Sequence, residues 1–202
     1  MKKRIVIFAS GSGTNTENII KHFQQSELAE VILVLSNKKD AAVLDRAKSH
    51  NIASVSFTKD ELLSEDGVLK ILKETNPDLI VLAGFLLKFP EIILKKFPNK
   101  VINIHPALLP KYGGKGMYGN FVHQAVVENN EMETGITIHY VNENYDEGAI
   151  ISQKIVKLSE SETPETVAKK IHALEYEWFP KVIEEVLQET STPNPSFKGG
   201  EL

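Results

Sequence analysis

Short runs of apolar residues alternate along the chain with longer segments in which apolar residues recur every three or four positions. The short runs are rich in β-branched residues and are bounded by glycine, proline, serine or asparagine, so they predict buried strands. The longer segments place their apolar side chains on one face of a helix. Such an alternation is typical of a largely parallel sheet covered by helices.

The pattern predicts the following elements. Strands are expected at residues 4–9, 31–35, 53–57, 78–83, 101–105, 135–141 and 149–156. Helices are expected around residues 19–23 and at 41–49, 66–74, 91–96, 121–128 and 164–189. The predicted fold class is α/β, a Rossmann-like open and mostly parallel sheet with helices on both faces and antiparallel additions near the C-terminal half. Residues 1–189 are expected to form a single domain, and residues 190–202, rich in proline, serine and glycine, a loosely held tail.

Two polar residues interrupt the fifth predicted strand, at Asn103 and His105. Residues two apart in a strand project to the same face, so an amide and an imidazole are presented side by side. Pro106 ends the strand, which places the pair at a carboxyl end, where open α/β sheets bind their ligands. The alternative is that both polar groups only cap the chain where it leaves the sheet.

A glycine-rich turn, Ser10 to Asn15, joins the first strand to the first helix. This arrangement suits a phosphate because small residues allow close approach and the helix start offers free N–H groups. A dinucleotide fingerprint would need a third glycine where Thr16 stands, and a triphosphate loop would need Gly-Lys-Ser/Thr. The turn therefore favours a single phosphate group, unless it is only a tight turn in which Thr14 or Asn15 caps the helix.

Two loops after predicted strands leave their roles open. The apolar segment Gly84 to Pro90 could line a pocket for a flat ring, or pack into the core beneath the next helix. The segment Tyr112 to Gly119 contains four glycines. It could act as a lid over a site, or serve as a flexible connection.

Composition excludes several classes of protein. The formal net charge of -4 argues against a general nucleic-acid binder. The chain has no cysteine, which excludes disulfides and thiolate chemistry and favours the reducing cytoplasm. No apolar segment approaches the ~20 residues of a membrane span, so no membrane is expected as a partner.

Asn103, His105 and Asp146 together suggest acyl transfer. The histidine can move protons near neutral pH, the carboxylate of Asp146 can orient it, and the amide of Asn103 can donate to an oxyanion. No serine elbow or cysteine is present, so direct attack by a bound amine or water is expected. A metal bound by His105, Asp146 and His139 is the competing use, but no metal-ligand spacing is present and no metal is predicted.

These motifs resemble those of the phosphoribosylglycinamide formyltransferases, folate-dependent enzymes of purine biosynthesis within a wider formyltransferase family. The resemblance covers nearly the whole chain. It is carried by five segments, Ser10 to Asn15, Val81 to Phe85, Asn103 to Lys111, Gly135 to His139 and Asp146 to Gly148.

The resemblance implies roles for further residues. Asn103, His105 and Asp146 would be the catalytic set, and Glu175 would help to hold glycinamide ribonucleotide. Its phosphate would be held by Gly13, Thr14 and Asn15, with Lys59 as the basic partner. The folate would be bound by Leu86, Leu87, Lys88, Phe89, Asn103, Asn142 and Tyr145. The chain departs from the family pattern after Phe85, where Leu86 and Leu87 replace a basic residue, and at residues 113–120.

The implied reaction transfers the formyl group of 10-formyltetrahydrofolate to glycinamide ribonucleotide. Both are small molecules, no nucleic acid is involved, and a monomer or a homodimer is expected. One alternative is a sibling, a methionyl-tRNA formyltransferase or a formyltetrahydrofolate hydrolase, although both carry an additional domain for which this length leaves no room. Another is a binding module for a phosphorylated metabolite, without catalysis.

Overall fold

The computed structural model describes residues 1–189, so the predicted tail at 190–202 lies outside the described residues. The strands of this part are β1 (Lys3–Phe8), β2 (Ala29–Ser36), β3 (Ala53–Ser56), β4 (Leu79–Leu82), β5 (Val101–His105), β6 (Glu133–Tyr140) and β7 (Ile150–Lys157). The helices are α1 (Thr14–Phe23), α2 (Ala42–Ser49), α3 (Lys59–Leu63), α4 (Val68–Thr75), α5 (Glu91–Lys96), α6 (Asn120–Glu128) and α7 (Pro164–Glu189).

Residues 1–189 contain one seven-stranded sheet with the order β3-β2-β1-β4-β5-β6-β7. The first five strands pair in parallel. β6 pairs antiparallel with β5, and β7 pairs antiparallel with β6. The predicted fold class, with its antiparallel additions after the parallel strands, is therefore confirmed.

Helices cover both faces of the sheet because the central strands are apolar on both sides. Along β1, Ile5 and Ile7 belong to one core cluster, whereas Val6 and Phe8 belong to the other. The first cluster includes buried residues of α1, α2, α6 and α7, and the second includes those of α3, α4 and α5. A strand buried on both faces is the expected form for a parallel sheet.

A short helix, α3, was not predicted. Thr58 precedes it, and its side chain accepts a hydrogen bond from the Glu61 N–H while the Glu61 carboxylate accepts one from the Thr58 N–H. This reciprocal capping box stabilises a helix start. The Thr-x-x-Glu pattern was visible in the sequence, so this element could have been predicted.

The longest helix, α7, begins as the sequence predicts. Thr163 precedes it, Pro164 is its first residue, and the Thr163 hydroxyl accepts a hydrogen bond from the Thr166 N–H at 3.3 Å. Proline fits this position because the first helical N–H groups have no partner in the helix. Within residues 1–189, no helix combines the length and the apolar character that crossing a membrane requires.

The register between β5 and β6 sets the geometry of the candidate site. Asn103 pairs with His139, and His105 pairs with Thr137. Directly opposed residues on antiparallel strands have neighbouring side chains. The polar pair predicted on β5 therefore gains a second imidazole from the next strand.

Candidate active site

A cavity of about 540 Å³ lies at the carboxyl ends of β1, β4 and β5. One part of its wall is the glycine-rich turn before α1, and another is the polar end of β5. Further lining residues come from the loop before α6, from α6 itself, from the loop after β6 and from α7; they include Gly114, Lys115, Gly116, Met117, Tyr118, Gly119, His123, Tyr145, Asp146, His172 and Glu175.

Asn103 is held in place by His139. The His139 Nδ1 atom lies 2.9 Å from the Tyr140 carbonyl oxygen, which can only accept a hydrogen bond, so Nδ1 carries a hydrogen. In the neutral ring Nε2 is then an acceptor, and it lies 3.1 Å from the Asn103 amide nitrogen. One amide hydrogen of Asn103 is used in this contact, and the second is available to the cavity.

His105 and Asp146 form the second half of the cluster. His105 is 3% exposed. Its Nδ1 atom lies 3.6 Å from Asp146 Oδ2, and its Nε2 atom lies 2.7 Å from the Tyr112 carbonyl oxygen. Because that carbonyl can only accept, Nε2 carries a hydrogen and Nδ1 is the nitrogen free to gain or lose a proton. Burial lowers the pKa of His105, while the Asp146 charge and the Tyr112 carbonyl oppose this.

Asp146 reaches this pair from the loop between β6 and β7. Its backbone is left-handed, with φ of 56°. Its Oδ1 atom lies 3.6 Å from His139 Nε2, and Oδ2 accepts a hydrogen bond of 2.9 Å from the Gly114 N–H. Burial raises the pKa of Asp146, but His139, the charge of His105 and the Gly114 N–H together outweigh burial and lower it. Asp146 is therefore an ionised carboxylate at neutral pH.

The glycine-rich turn opens the start of α1 toward the cavity. Gly13 precedes the helix with φ of 74°, and no side chain of the described residues caps the helix start. The alternative in which Thr14 or Asn15 acts as cap is not observed. Arg46 supports the turn from outside, since its Nε atom donates to the Ser12 carbonyl oxygen at 2.8 Å. The first N–H groups of α1 are thus available to an anion.

Glu175 of α7 closes the wall beside this turn. It is 7% exposed, and its carboxylate accepts a hydrogen bond of 2.9 Å from the Asn15 amide. Burial raises the pKa of Glu175, which the Asn15 amide and the charge of His172 oppose. A buried polar pair of this kind can read the hydroxyl groups of a ligand.

The structure brings together most of the predicted site residues. The same cavity is lined by nine of them: Asn103, His105, Asp146, Gly13, Thr14, Asn15, Glu175, Leu86 and Tyr145. Leu87, Lys88, Phe89 and Asn142 lie outside its lining. Phe89 is 4% exposed and packs edge-on against Phe8 in the core, with ring centres 5.2 Å apart.

The predicted basic partner of the phosphate, Lys59, also lies outside the lining. It is the first residue of α3, which follows the edge strand β3. The sequence offered no way to place it, because its distance from the turn depends on the position of β3 in the sheet.

Sequence reasoning missed several residues of the cavity. The loop before α6 contributes six consecutive residues, Gly114 to Gly119, and α6 and α7 contribute His123 and His172. The glycine density signalled a loop but not where it lies. His139 was considered only as a metal ligand, although its strand alternation placed it apart from the aliphatic residues. Within residues 1–189, no cluster of three or more potential ligand side chains is arranged to hold a metal.

Comparison with known proteins gives a consistent result. The formyl transferase family model matches residues 3–183. A chloroplastic phosphoribosylglycinamide formyltransferase of Arabidopsis thaliana is 36% identical over 93% of this chain, which spans 66% of that protein. The phosphoribosylglycinamide formyltransferase of Bacillus subtilis strain 168 is 34% identical over 92% of this chain and 95% of its own length.

Solved structures agree. The crystal structure of phosphoribosylglycinamide formyltransferase from Bacillus halodurans superposes with a TM-score of 0.84 at 35% identity, covering 97% of this chain and all of that one. The resemblance expected from the sequence motifs is confirmed by these likenesses. The chain belongs to the formyl transferase family.

Proposed function

We propose that this chain transfers the formyl group of 10-formyltetrahydrofolate to the amine of 5'-phosphoribosylglycinamide, a step of de novo purine biosynthesis. The observation that carries the proposal is one cavity lined by two chemically different groups of residues. One group is the uncapped start of α1, and the other is Asn103, His105 and Asp146, with His139 behind Asn103. A phosphorylated amine spanning the cavity would present its amine to that cluster.

The phosphate of the amine substrate would bind at Gly13, Thr14 and Asn15. The free N–H groups and the positive dipole end of α1 favour a single anionic group there. Glu175, beside Asn15, would accept hydrogen bonds from the sugar. The relatives from Arabidopsis thaliana and Bacillus subtilis carry the name of this reaction, which supports the assignment of the substrate.

The folate would lie toward Leu86 and Tyr145, together with Phe85, which also lines the cavity. Leu86 and Tyr145 are partly exposed at 44% and 39%, so they have apolar surface to offer to a flat ring. Roles for Leu87, Lys88, Phe89 and Asn142 in folate binding stay predictions from the resemblance.

In the proposed reaction the neutral amine attacks the formyl carbon, a new C–N bond forms, and the carbonyl oxygen becomes an oxyanion. The second N–H of Asn103 donates to that oxygen, and the first stays on His139. Fixing the donor beforehand lowers the barrier because no reorganisation is needed when the charge develops.

The proton released by the amine passes to His105 at Nδ1, where the Asp146 carboxylate compensates the new charge. The positive ring then adds to the stabilisation of the oxyanion. When the carbonyl re-forms, the bond to the folate nitrogen breaks and that nitrogen takes the proton. The lowered pKa of His105 keeps the ring neutral and ready to accept a proton at pH 7.

The decisive experiment mixes the purified protein with glycinamide ribonucleotide and 10-formyltetrahydrofolate and follows the absorbance change of folate deformylation. The proposal predicts deformylation that depends on the amine and yields formylglycinamide ribonucleotide. Formate release without the amine would instead identify a hydrolase. Binding of the ribonucleotide without any turnover would identify a binding module.

Five further predictions from the sequence stay predictions. We propose that residues 1–189 act as one domain, that the protein works in the cytoplasm as a monomer or homodimer, and that it needs no metal. We also propose that it acts on no nucleic acid, as its acidic balance suggests.

A further inference from the structure

His123 on α6 is a cavity residue to which neither the motifs nor the proposed chemistry assigns a role. Its side chain lines the cavity, yet the residue is only 3% exposed. Its Nδ1 atom is enclosed and has no hydrogen-bond partner among the described residues. Buried polar atoms are nearly always paired, so an enclosed nitrogen without a partner limits where the ring can carry its hydrogen.

The surroundings of His123 fix its protonation and its tautomer. Burial, followed by the charge of His172, lowers the pKa of His123 to about 4, so the ring is neutral at physiological pH. A neutral ring carries one hydrogen. On Nδ1 that hydrogen would be a buried donor without an acceptor, which is the costlier arrangement. The hydrogen therefore lies on Nε2, the nitrogen on the other edge of the ring.

The packing of α6 connects His123 to the start of α1 through α7. α6 packs on α7, and α7 packs on α1. The His123 ring meets the His172 ring edge-on at 6.5 Å and 87°. One helical turn after His172, Glu175 bonds to Asn15 at the start of α1. His123 and the glycine-rich turn thus line the same cavity and are linked through α7.

We propose that His123 is a specificity residue for the amine substrate, whose sugar-phosphate oxygen accepts a hydrogen bond from Nε2–H of this uncharged ring. The acceptor is a phosphate or a ribose oxygen, and both are confined to the half of the ligand that lies along α1 and α7. The inference rests on the proposed function, since it takes the substrate to be a phosphorylated riboside.

The test compares three substitutions at this position. His123→Gln places an amide N–H near the position of Nε2, His123→Asn places one near Nδ1, and His123→Leu removes both. We expect His123→Leu and His123→Asn to raise the KM for the ribonucleotide by about tenfold, the effect of one lost hydrogen bond. His123→Gln should recover most of this loss, and in all three variants the KM for the folate and kcat should stay within about twofold, the spread expected of an interaction made equally in ground and transition states.

The control is His22→Gln, because His22 lies on α1 outside the cavity lining and bonds to Glu184 on the surface. It should leave both KM values unchanged. If His123→Leu does not fold, the comparison of glutamine with asparagine carries the test alone. An unchanged KM for the ribonucleotide, an equal rise of both KM values, or rescue by asparagine rather than glutamine would overturn the inference.

The dephosphorylated substrate, ribosylglycinamide, identifies the acceptor. Equal kcat/KM of wild type and His123→Leu on this nucleoside assigns the phosphate oxygen, and a persisting defect assigns a ribose oxygen. Calorimetric measurement of ribonucleotide binding distinguishes a failure of the proposed function from a failure of the inference about His123. A wild-type protein that does not deformylate folate would defeat the proposed function, while the order of affinities wild type, glutamine, then asparagine would still support the inference.

Discussion

At the scale of single residues, the arrangement around Asn103 explains why two histidines and not one accompany it. His139 fixes the amide through a backbone-anchored ring, and Asp146 lies 3.6 Å from a nitrogen of each histidine. Both of these nitrogens lack a hydrogen in the neutral rings, so the carboxylate is placed to compensate the positive charge when either ring gains a proton. A change at any member should affect the turnover more than the binding of substrate.

Removing either the amide or the carboxylate should abolish most of the activity. We expect Asn103→Ala and Asp146→Asn each to lower kcat by about a hundredfold or more, as loss of an oxyanion donor does elsewhere. Steady-state deformylation measures this, with Asn129→Ala as control, since the Asn129 side chain donates to the Ala125 carbonyl on α6 and lies outside the cavity lining. Near-normal turnover in both site variants would refute the catalytic assignment.

His139 should behave as a positioning residue. His139→Phe keeps the ring volume but removes the acceptor of the Asn103 amide, so the amide can rotate away from the oxyanion. We expect kcat to fall about tenfold, the low end for a donor that is misplaced but not removed, with the KM for either substrate little changed. A variant with normal kcat and a raised KM would show that His139 acts in binding instead.

The pH dependence of the reaction follows from His105. As a proton acceptor it must be neutral, and its pKa lies below the ordinary value of 6.5. We therefore expect kcat/KM, calculated for the neutral form of the amine substrate, to fall only below pH 6.5, as the ring becomes protonated in the free enzyme. The Asp146 charge raises this pKa, so Asp146→Asn should move the acid limb to still lower pH. A shift to higher pH in the variant would contradict the assigned ionisation states.

At the scale of secondary-structure elements, the loop before α6 is tied to the catalytic carboxylate at Gly114. Gly114 has φ of 94° and Gly116 has φ of 91°, a backbone region that favours glycine, and both have open space where a Cβ would stand. Strain alone should therefore cost a similar amount in Gly114→Ala and Gly116→Ala, about 1–2 kcal/mol.

Of these two glycines, Gly114 is the one whose N–H donates a hydrogen bond to Asp146. We expect Gly114→Ala to lower kcat several-fold more than Gly116→Ala at equal thermal stability, because the change moves this N–H away from the carboxylate. Equal kcat in the two variants would show that the contact with Asp146 does not matter for turnover.

A charged cluster joins α1 to α2 on the far side of the phosphate turn. Glu17 contacts Lys21, Arg46 and His50. Lys21 and His50, with a smaller contribution from Arg46, lower the pKa of Glu17 to about 2, although burial opposes them. Because the folded-state pKa is depressed, this stabilisation is present above the unfolded value of 4.5 and is lost as the pH falls toward 2.

Glu17→Gln should therefore lower the melting temperature at pH 7 by about 2–4 °C, the equivalent of ~1 kcal/mol for a partly exposed network. The difference from wild type should shrink as the pH is lowered from 5 to 3. Thermal unfolding followed by circular dichroism at a series of pH values measures it. A difference that grows at acid pH would show that Glu17 is not the stabilising charge.

Elements were easier to predict than the contacts between them. The central strands were identifiable because β-branched runs buried on both faces differ from helical patterns, and α7 was marked by Thr163 and Pro164. The function of the loop before α6 could not be predicted from the sequence, because glycine content does not indicate which residues a loop contacts. The predicted partner Lys59 was taken from the resemblance as the basic residue after the third strand, and such a place in the sequence is a poor guide to position at a sheet edge.

At the scale of the whole molecule, strand order decides which residues meet. β1, β4 and β5 are neighbours in space, although about 70 residues separate the first two along the chain. Their carboxyl ends therefore supply the phosphate turn, the apolar segment and the polar pair to one rim. The sequence predicted this rim because ligands in open α/β sheets bind there. It could not predict that antiparallel β6 would place His139 opposite Asn103, since that depends on register.

A cavity built from so many separate segments should tie the stability of the fold to its ligands. A ligand that binds only the folded state stabilises it by about 2.7 kcal/mol at a hundred times its Kd. For a chain of this length that corresponds to roughly 5–10 °C in the melting temperature. We expect glycinamide ribonucleotide to produce a shift that grows with its concentration, and inorganic phosphate a smaller one. No shift with the ribonucleotide at any concentration would argue against the proposed cavity.

The hydrogen bond between the Tyr112 carbonyl and His105 limits how protons can be transferred to and from the imidazole. While this hydrogen bond is present, the imidazole ring cannot flip, and every proton must be gained and lost at Nδ1, which faces Asp146. The segment that follows Tyr112 also holds that carboxylate through the Gly114 amide. A displacement of these few backbone atoms would therefore allow the His105 ring to rotate and would also remove a hydrogen bond from the Asp146 carboxylate. The segment that leads into α6 thus controls both His105 and Asp146.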